Sequence, residues 1–316
     1  LLLLLLLLVR AELGKWRTFP PPWRSPTWTV HRSCTGLRSM AGRRRLMPVR
    51  MPWTQTRSVS HYPLPVQSKR PSFRAKDVLF MDNHVLLVNK PAGLLSQSDR
   101  TGDVDVSSLA REYVRVTANK PGEAFVALVH RLDRPVSGVM CVARTSKAAA
   151  RLSTSFQTHK AVEKIYHAVV AGRLSGSGTC RDLLITPDES GATARRGRGP
   201  RTALEWEAVG GSNSAAASLR CSSTGEPRTV VRVRLVTGRK HQIRVQLAEM
   251  GHPVVGDARY GKSSSRREGA ILLHASELSL PHPTRLDTRV RAVAPPPEAW
   301  SEVCGRKVID EVFGRL

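Results

Sequence analysis

The sequence predicts an α+β domain, on three observations. Apolar runs of strand length are interleaved with helical stripes, and the two follow no regular strand–helix–strand alternation. One segment, Val231-Arg232-Val233-Arg234-Leu235, alternates strictly between apolar and charged residues, the mark of a half-buried strand. No internal repeat of fixed period runs through the chain.

Taken in order, structure is expected from near Asp77. Val85-Leu86-Leu87-Val88 is a continuous apolar run closed by Asn89-Lys90-Pro91-Ala92-Gly93, which reads as a buried strand entering a turn. Val139 to Ala143 reads as a second strand. Ser146 follows as the N-cap of a helix through His159, with Ala149, Leu152 and Phe156 on one apolar stripe. Ile165 to Val170 is a third strand. Residues 173–203, rich in Gly and Ser and carrying Arg195-Arg196-Gly197-Arg198, read as loop. The alternating strand at 231–235 turns two arginines outward. A helix is expected from about Arg239 to Met250, with Ile243, Leu247 and Met250 as its stripe and Gly251 and Pro253 as its stop.

The chain has 316 residues, enough for one large domain or two ordinary ones, and its 41% apolar content excludes wholesale disorder. With 50 Lys and Arg against 25 Asp and Glu it carries +25, so a polyanionic partner is expected, RNA or DNA ahead of a membrane surface. That charge is split. Residues 1–75 hold 14 basic residues and one acid, Glu12, which puts +13 there and leaves +12 for the remainder. From Arg10 to Arg74 the chain is rich in Arg, Ser, Thr and Pro, the composition of a mitochondrial or plastid transit peptide, with an RNA-binding arm as the alternative. The expected organisation is therefore a basic targeting extension over 1–75 and one folded domain over 76–316. An organelle, mitochondrion ahead of plastid, is the expected location, and cytoplasm or nucleus the alternative. The eight opening leucines are too few to span a bilayer, and no membrane partner is expected. A monomer is the expected state.

The five cysteines (Cys34, Cys141, Cys180, Cys221, Cys304) are scattered and form no Cys-x-x-Cys pair. That argues against a disulfide framework or a structural zinc site, and fits a reducing compartment. No phosphate-binding loop, nucleophile elbow or His-Glu-x-x-His helix is present. Gly176-Ser177-Gly178 falls short of a dinucleotide fingerprint because Arg181 stands where its third glycine belongs. His130, His159 and His167 have no metal-ligand spacing, so no metal is expected.

Three segments remain as sources of chemistry. Val129-His130-Arg131-Leu132-Asp133-Arg134-Pro135-Val136-Ser137-Gly138 puts an acid between two arginines on a turn just before a strand. An ordinary surface ion pair would look the same. Glu163 to Gly172 carries Tyr166 on the strand face of Ala168 and Val170, where it reads equally well as a core tyrosine. Leu235 to Leu247 places Arg244 early in a helix beside the apolar stripe, where a half-buried guanidinium would want a carboxylate.

Together these segments resemble the RluA-type RNA pseudouridine synthases. Asn83 to Gly93 is similar to that family's first motif, and His130-Arg131-Leu132-Asp133 to its catalytic signature. Lys164-Ile165-Tyr166-His167-Ala168 is similar to its tyrosine motif. Thr237-Gly238-Arg239-Lys240-His241-Gln242-Ile243-Arg244, with Gly251 to Asp257, is similar to its arginine motif. Pro200 to Trp206 and Leu273-His274-Ala275 fall where the family has similar stretches. The likeness runs in order over roughly 77–300. Val136 departs from it, standing where the family has threonine, and residues 1–76 carry no S4-like RNA-binding module.

The resemblance implies a pseudouridine synthase fold: a mixed, mostly antiparallel sheet with flanking helices and a central catalytic cleft. It implies isomerisation of uridine in RNA, with the N1–C1′ bond broken and C5 joined to C1′. No electrons or groups come from outside, so no cofactor is expected. Asp133 is implied as the essential carboxylate, acting at C1′, at C6 or on a ribose proton. Arg244 is implied as its ion-pair partner, keeping it ionised. Tyr166 would pack on the uracil and take part in C5 proton transfer. Arg131 would hold the flipped nucleotide, and His130, Lys164, Arg239 and Gln242 would contact the substrate. Two rivals stand beside this reading: an idle RNA-binding or ribosome-assembly protein that keeps the fold, and a metal-dependent nuclease using His130 and Asp133.

Overall fold

Continuous apolar runs became the middle of one sheet. The computed structural model describes residues 73–119, 121–159, 161–181, 183–188, 191–196, 202–209, 219–220, 225–261, 271–285 and 287–314. Residues 1–72, and with them nearly all of the expected targeting extension, lie outside that set, as do Gly197 and Arg198 of the basic run. All described residues belong to one compact unit. Its first elements are β1 (Val78–Met81), β2 (Val85–Lys90), α1 (Val106–Thr117), β3 (Ala127–Leu128), β4 (Ser137–Ala143) and α2 (Ser146–Thr158). Then come β5 (Glu163–Ala171), β6 (Ser177–Arg181), β7 (Leu183–Asp188), β8 (Gly191–Arg196) and β9 (Ala203–Ala208). The last are β10 (Arg228–Leu235), α3 (Gln242–Glu249), β11 (Leu273–Pro281), β12 (Arg289–Val293), α4 (Ala299–Cys304) and α5 (Arg306–Phe313).

The main sheet runs β1-β2-β4-β11-β5-β10-β9-β6, with β12 paired to β11 and β3 to β4; β7 and β8 pair only with each other. Among these pairings only β4–β11 is parallel, so the architecture is mixed, mostly antiparallel and α+β. Helices cover both faces. On one face, Val106, Ala110 and Val114 of α1 and Ile243 and Leu247 of α3 pack with Leu86, Val88, Met140, Val142, Tyr166, Ala168, Val231 and Val233. On the other, Ala148, Leu152 and Phe156 of α2 pack on Val85, Leu87, Val139 and Cys141. Further along that sheet, Trp300, Cys304, Val308 and Val312 of α4 and α5 meet Val169 and Val230. Central strands covered twice have no solvent face, which is why β4 is buried at all seven positions and its stretch Val139–Ala143 reads as an unbroken apolar run. In β10 only Arg232 and Arg234 are exposed, as the alternation predicts.

Three expectations are corrected. Residues 173–203 are not a loop: they carry β6, β7 and β8. Gly178 of β6 lies under the Trp206 ring of β9, so the packing that makes β6 a strand comes from a partner some 28 residues away. The helix expected from Arg239 begins at Gln242, because His241 adopts a left-handed conformation at φ 57° and breaks the helical run. Thr145, not Ser146, caps α2, its hydroxyl accepting from the Ala148 N–H.

The parallel seam fixes the segment that matters most. Ser137 pairs with His274 and Gly138 with Ala275. A Cβ on Gly138, at φ +117°, would collide with the Ala275 carbonyl, so only glycine lets the strands approach. His274 donates from Nε2 to the Ala294 carbonyl at 3.0 Å, which leaves Nδ1 to accept from the Ser137 hydroxyl at 2.8 Å. Burial lowers His274 to about 4, so the seam is held by a neutral imidazole across the neutral range.

Candidate active site

The residues just before β4 meet four different environments, one side chain after another. His130 stacks on Phe156 at 4.4 Å, and its Nε2 accepts the Cys141 N–H at 2.8 Å, which pins the start of the segment to the sheet. That acceptor role requires a neutral ring protonated on Nδ1. Burial, reinforced by the Lys164 charge, pushes its pKa well below the usual histidine range. Arg131 is exposed, with no side-chain partner among the described residues. Leu132 is buried, its backbone N–H and C=O both bonded to the Ser96 hydroxyl at 3.2 and 2.6 Å. Asp133 then starts a turn closed by Val136 N–H to its own carbonyl at 3.0 Å, and its carboxylate is 25% exposed.

Beyond the turn, Lys90 sits at the end of β2 with no exposed surface. Its ammonium donates to the carbonyls of Pro91 (3.0 Å), Leu94 (2.8 Å) and Arg134 (3.2 Å), tying two loops together behind Asp133. Burial lowers its pKa to about 7, with the Asp133 charge opposing and the Arg134 charge reinforcing the shift. Between about 7 and the ordinary value of 10.5 the unfolded chain binds more protons at this site than the native one. Unfolding free energy should therefore rise with pH across that window. Urea denaturation at pH 7 and pH 9.5 checks this: Lys90→Met should flatten the rise, and an unchanged slope would contradict the assignment.

Asp133 faces α3 and the turn before it. Arg244 is buried on α3, and its Nη1 donates to Asp133 Oδ2 at 3.2 Å. The expected pairing is present, but the guanidinium's stronger bond is elsewhere: Nε and Nη2 form a two-pronged pair with Asp257 at 2.6 and 2.9 Å. Asp257 is fully buried and also accepts the backbone N–H groups of Arg259 and Tyr260. Burial alone would raise its pKa, but the Arg244 hydrogen bonds and charge hold it below the usual carboxylate range. The Tyr260 ring lies under the Arg244 guanidinium at 5.1 Å.

His241 completes this side. Its Nε2 is 3.6 Å from Asp133 Oδ2 and its Nδ1 is 2.8 Å from the Tyr260 hydroxyl. Burial lowers its pKa, the Asp133 charge opposes that, and Arg244, Lys240 and Arg259 add to it. A Tyr260 hydroxyl donating to Nδ1 leaves the imidazole proton on Nε2, facing the carboxylate. Oδ2 thus has all the polar neighbours, whereas Oδ1 has no partner among the described residues. Sequence reasoning missed Asp257, His241 and Tyr260 as site residues. Asp257 closes the arginine motif, but nothing local says it is the carboxylate that a buried arginine requires.

Asp133, His241 and Arg244 line a cavity of about 640 Å³, with Asp257 and Tyr260 behind them, and the same cavity is lined by Arg131, His130, Tyr166, Lys164, Arg239 and Gln242. The structure thereby brings every predicted site residue to one cavity. Tyr166 is buried except where it meets this space, and its hydroxyl has no hydrogen-bond partner among the described residues. Burial, then the Asp133 charge, raise its pKa above the ordinary phenol value, so it is a neutral O–H at physiological pH. Gln242 is committed to the protein: its Oε1 accepts from Thr237 Oγ1 and Arg239 N–H, and its Nε2 donates to the Ala203 carbonyl. It shapes the turn that presents Arg239. Among the described residues no three His, Cys, Asp or Glu side chains converge as a metal site.

Comparison with known proteins places this geometry. A family profile described as RNA pseudouridylate synthase matches residues 84–249, which include Asp133, Tyr166 and Arg244. The chain is 35% identical over 238 residues to the ribosomal large subunit pseudouridine synthase D of Xylella fastidiosa, covering 70% of this chain and 66% of that protein. It is 32% identical over 216 residues to the dual-specificity RNA pseudouridine synthase RluA of Vibrio vulnificus, covering 66% and 78%. This chain thus spans just under two thirds of the first relative's length. In fold it is similar to human RNA pseudouridylate synthase domain containing 4, with a TM-score of 0.57 at 19% identity, over 73% of this chain and 93% of that one. The chain belongs to the RNA pseudouridylate synthase family, in the RluA type that its motifs resemble.

Proposed function

We propose that this protein isomerises uridine to pseudouridine in RNA, with ribosomal or transfer RNA as the substrate class, as named for the ribosomal large subunit pseudouridine synthase D and for the tRNA pseudouridine synthase C to which it is similar. The observation that carries this is the Asp133 carboxylate, with Oδ2 set against Arg244 and Oδ1 unengaged by any described residue in a cavity shared with Tyr166. A target base must leave its stack to reach that cavity, at a cost of a few kcal/mol. Arg131, exposed next to Asp133, is placed to occupy the gap the base leaves. Asp133 Oδ1 supplies the carboxylate step at the ribose or the base while Arg244 balances its charge. The uracil, freed from C1′, turns within the cavity and rejoins through C5. The idle-protein alternative is not favoured, since acid, arginine and tyrosine are assembled in one cavity.

Tyr166 bears on the last step. As the new bond forms, the C5 proton must leave and N1 must gain one. A phenol held neutral moves a proton as a relay, taking it at the oxygen while handing its own to Asp133 or to water. RNA carrying uridine tritiated at C5 tests both the activity and this role. Wild-type protein should release the tritium and leave pseudouridine at the same position; no release from ribosomal or transfer RNA contradicts the function. Tyr166→Phe keeps the ring, so RNA binding should persist while release slows by about 10²- to 10⁴-fold. Full activity in Tyr166→Phe would leave the residue only a packing role.

A further inference from the structure

Besides Asp133 and Arg244, the cavity wall carries positive groups that have no ion-pair partner among the described residues. The cavity is lined by five arginine or lysine side chains (Arg131, Lys164, Arg239, Lys240, Arg244) against one carboxylate, Asp133. Asp133 is engaged by Arg244. Lys164, on β5 two residues before Tyr166, is 93% buried, yet its ammonium has no hydrogen bond or ion pair to any described residue. Burial lowers its pKa to about 8, so it is still mostly charged at neutral pH. A buried cation without a carboxylate is costly unless an anion arrives to pair with it.

Two other groups converge on Lys164. His159 ends α2 in a left-handed conformation at φ 56°, and its Nδ1 is buried without a hydrogen-bond partner. His159, Lys164 and Arg239 line the same cavity, and the His159 pKa is lowered by burial and then by the charges of Lys164 and Arg239. Arg239 is exposed and makes no side-chain bond to a described residue. Between them is Gly238: a Cβ there would sit 3.5 Å from the Lys164 ammonium and 3.9 Å from His159 Cε1. The absent side chain leaves the ammonium open from the cavity.

We propose that His159, Lys164 and Arg239, opened by Gly238, form a phosphate subsite for the RNA phosphodiester next to the nucleotide whose base packs at Tyr166. The ligand class follows from the chemistry: two cations, neither with an ion pair to a carboxylate among the described residues, on a cavity wall left open at Gly238, fit the oxygens of a phosphodiester. The position follows from the strand. Lys164 and Tyr166 lie two residues apart on one face of β5, about 6–7 Å, so the same nucleotide or its neighbour can bridge them. The identity of the phosphate rests on the pseudouridine synthase reading; the anion site does not.

The test measures binding of a uridine-containing single-stranded oligoribonucleotide by fluorescence anisotropy across salt concentrations. Pseudouridine formation is followed in parallel on ribosomal and transfer RNA. Lys164→Gln should weaken binding by on the order of tenfold, and lower the log–log salt slope by about 0.7, one phosphate contact. Lys164→Arg should restore both. Gly238→Asp covers the possibility that Lys164→Gln fails to fold. It adds a carboxylate at an exposed position beside the ammonium and should reduce the slope in the same way. Weaker binding with an unchanged slope in both variants would make Lys164 a packing residue and overturn the subsite. If pseudouridine forms normally and neither variant alters the slope, the subsite falls and the activity stands. If no RNA is modified yet both variants lower the slope, the subsite stands and the activity falls.

Discussion

Asp133→Asn should abolish pseudouridine formation, by about 10⁴-fold or more in kcat, while the protein stays folded and binds RNA. An amide is nearly the shape of the carboxylate but has no negative charge and is a poor nucleophile or base. The fold should tolerate the change because Asp133 is 25% exposed and Arg244 keeps its two-pronged bond to Asp257. Chemical denaturation should therefore place the variant within about 1 kcal/mol of wild type. Retained turnover would remove Asp133 from the chemistry.

Asp257→Asn should do the opposite damage first. Its carboxylate is fully buried and takes both strong prongs of Arg244. Removing that carboxylate's charge leaves the buried guanidinium with only the longer Asp133 contact as its counter-charge and costs up to about 3–5 kcal/mol. Activity should fall as well, by about 10²-fold in kcat, because the guanidinium is then free to swing onto Asp133 and cover the oxygen that must react. Arg244→Lys should fail for a related reason, since one ammonium cannot hold Asp257 at two points and still reach Asp133. Urea midpoints and single-turnover rates separate the two carboxylates. Loss of rate with stability intact marks Asp133, and loss of both marks Asp257. Unchanged stability in Asp257→Asn would mean that the pair does not aim Arg244.

Much of the sheet was legible in the sequence because β2 and β4 are covered on both faces and carry the unbroken apolar runs Val85–Val88 and Val139–Ala143, and because β5 carries a run interrupted only at His167. The α2 stripe was legible for the complementary reason, one buried face on an otherwise polar helix. β11 was harder. Its buried His274 and Ser276 interrupt the apolar run, and they are satisfied by Ser137, Ala294, His167 and Ile165, partners distant in sequence. β6 was missed because Trp206 supplies its packing from another strand. At the site, Asp133, Tyr166 and Arg244 were legible through ordered motifs rather than through any local physical signal. The need of Arg244 for a carboxylate was also readable. That Asp257 meets it twice, and that His241 and Tyr260 close the far side, depends on a left-handed turn and a return of the chain that no local pattern encodes.

The most direct measurement is transcriptome-wide pseudouridine mapping in cells lacking this protein, rescued with either wild type or Asp133→Asn. Specific sites should disappear in the deficient cells, return with wild type and stay absent with Asp133→Asn, which would name the substrate as well. If no site changes, or if Asp133→Asn restores the sites as wild type does, the protein is not a pseudouridine synthase acting through this aspartate.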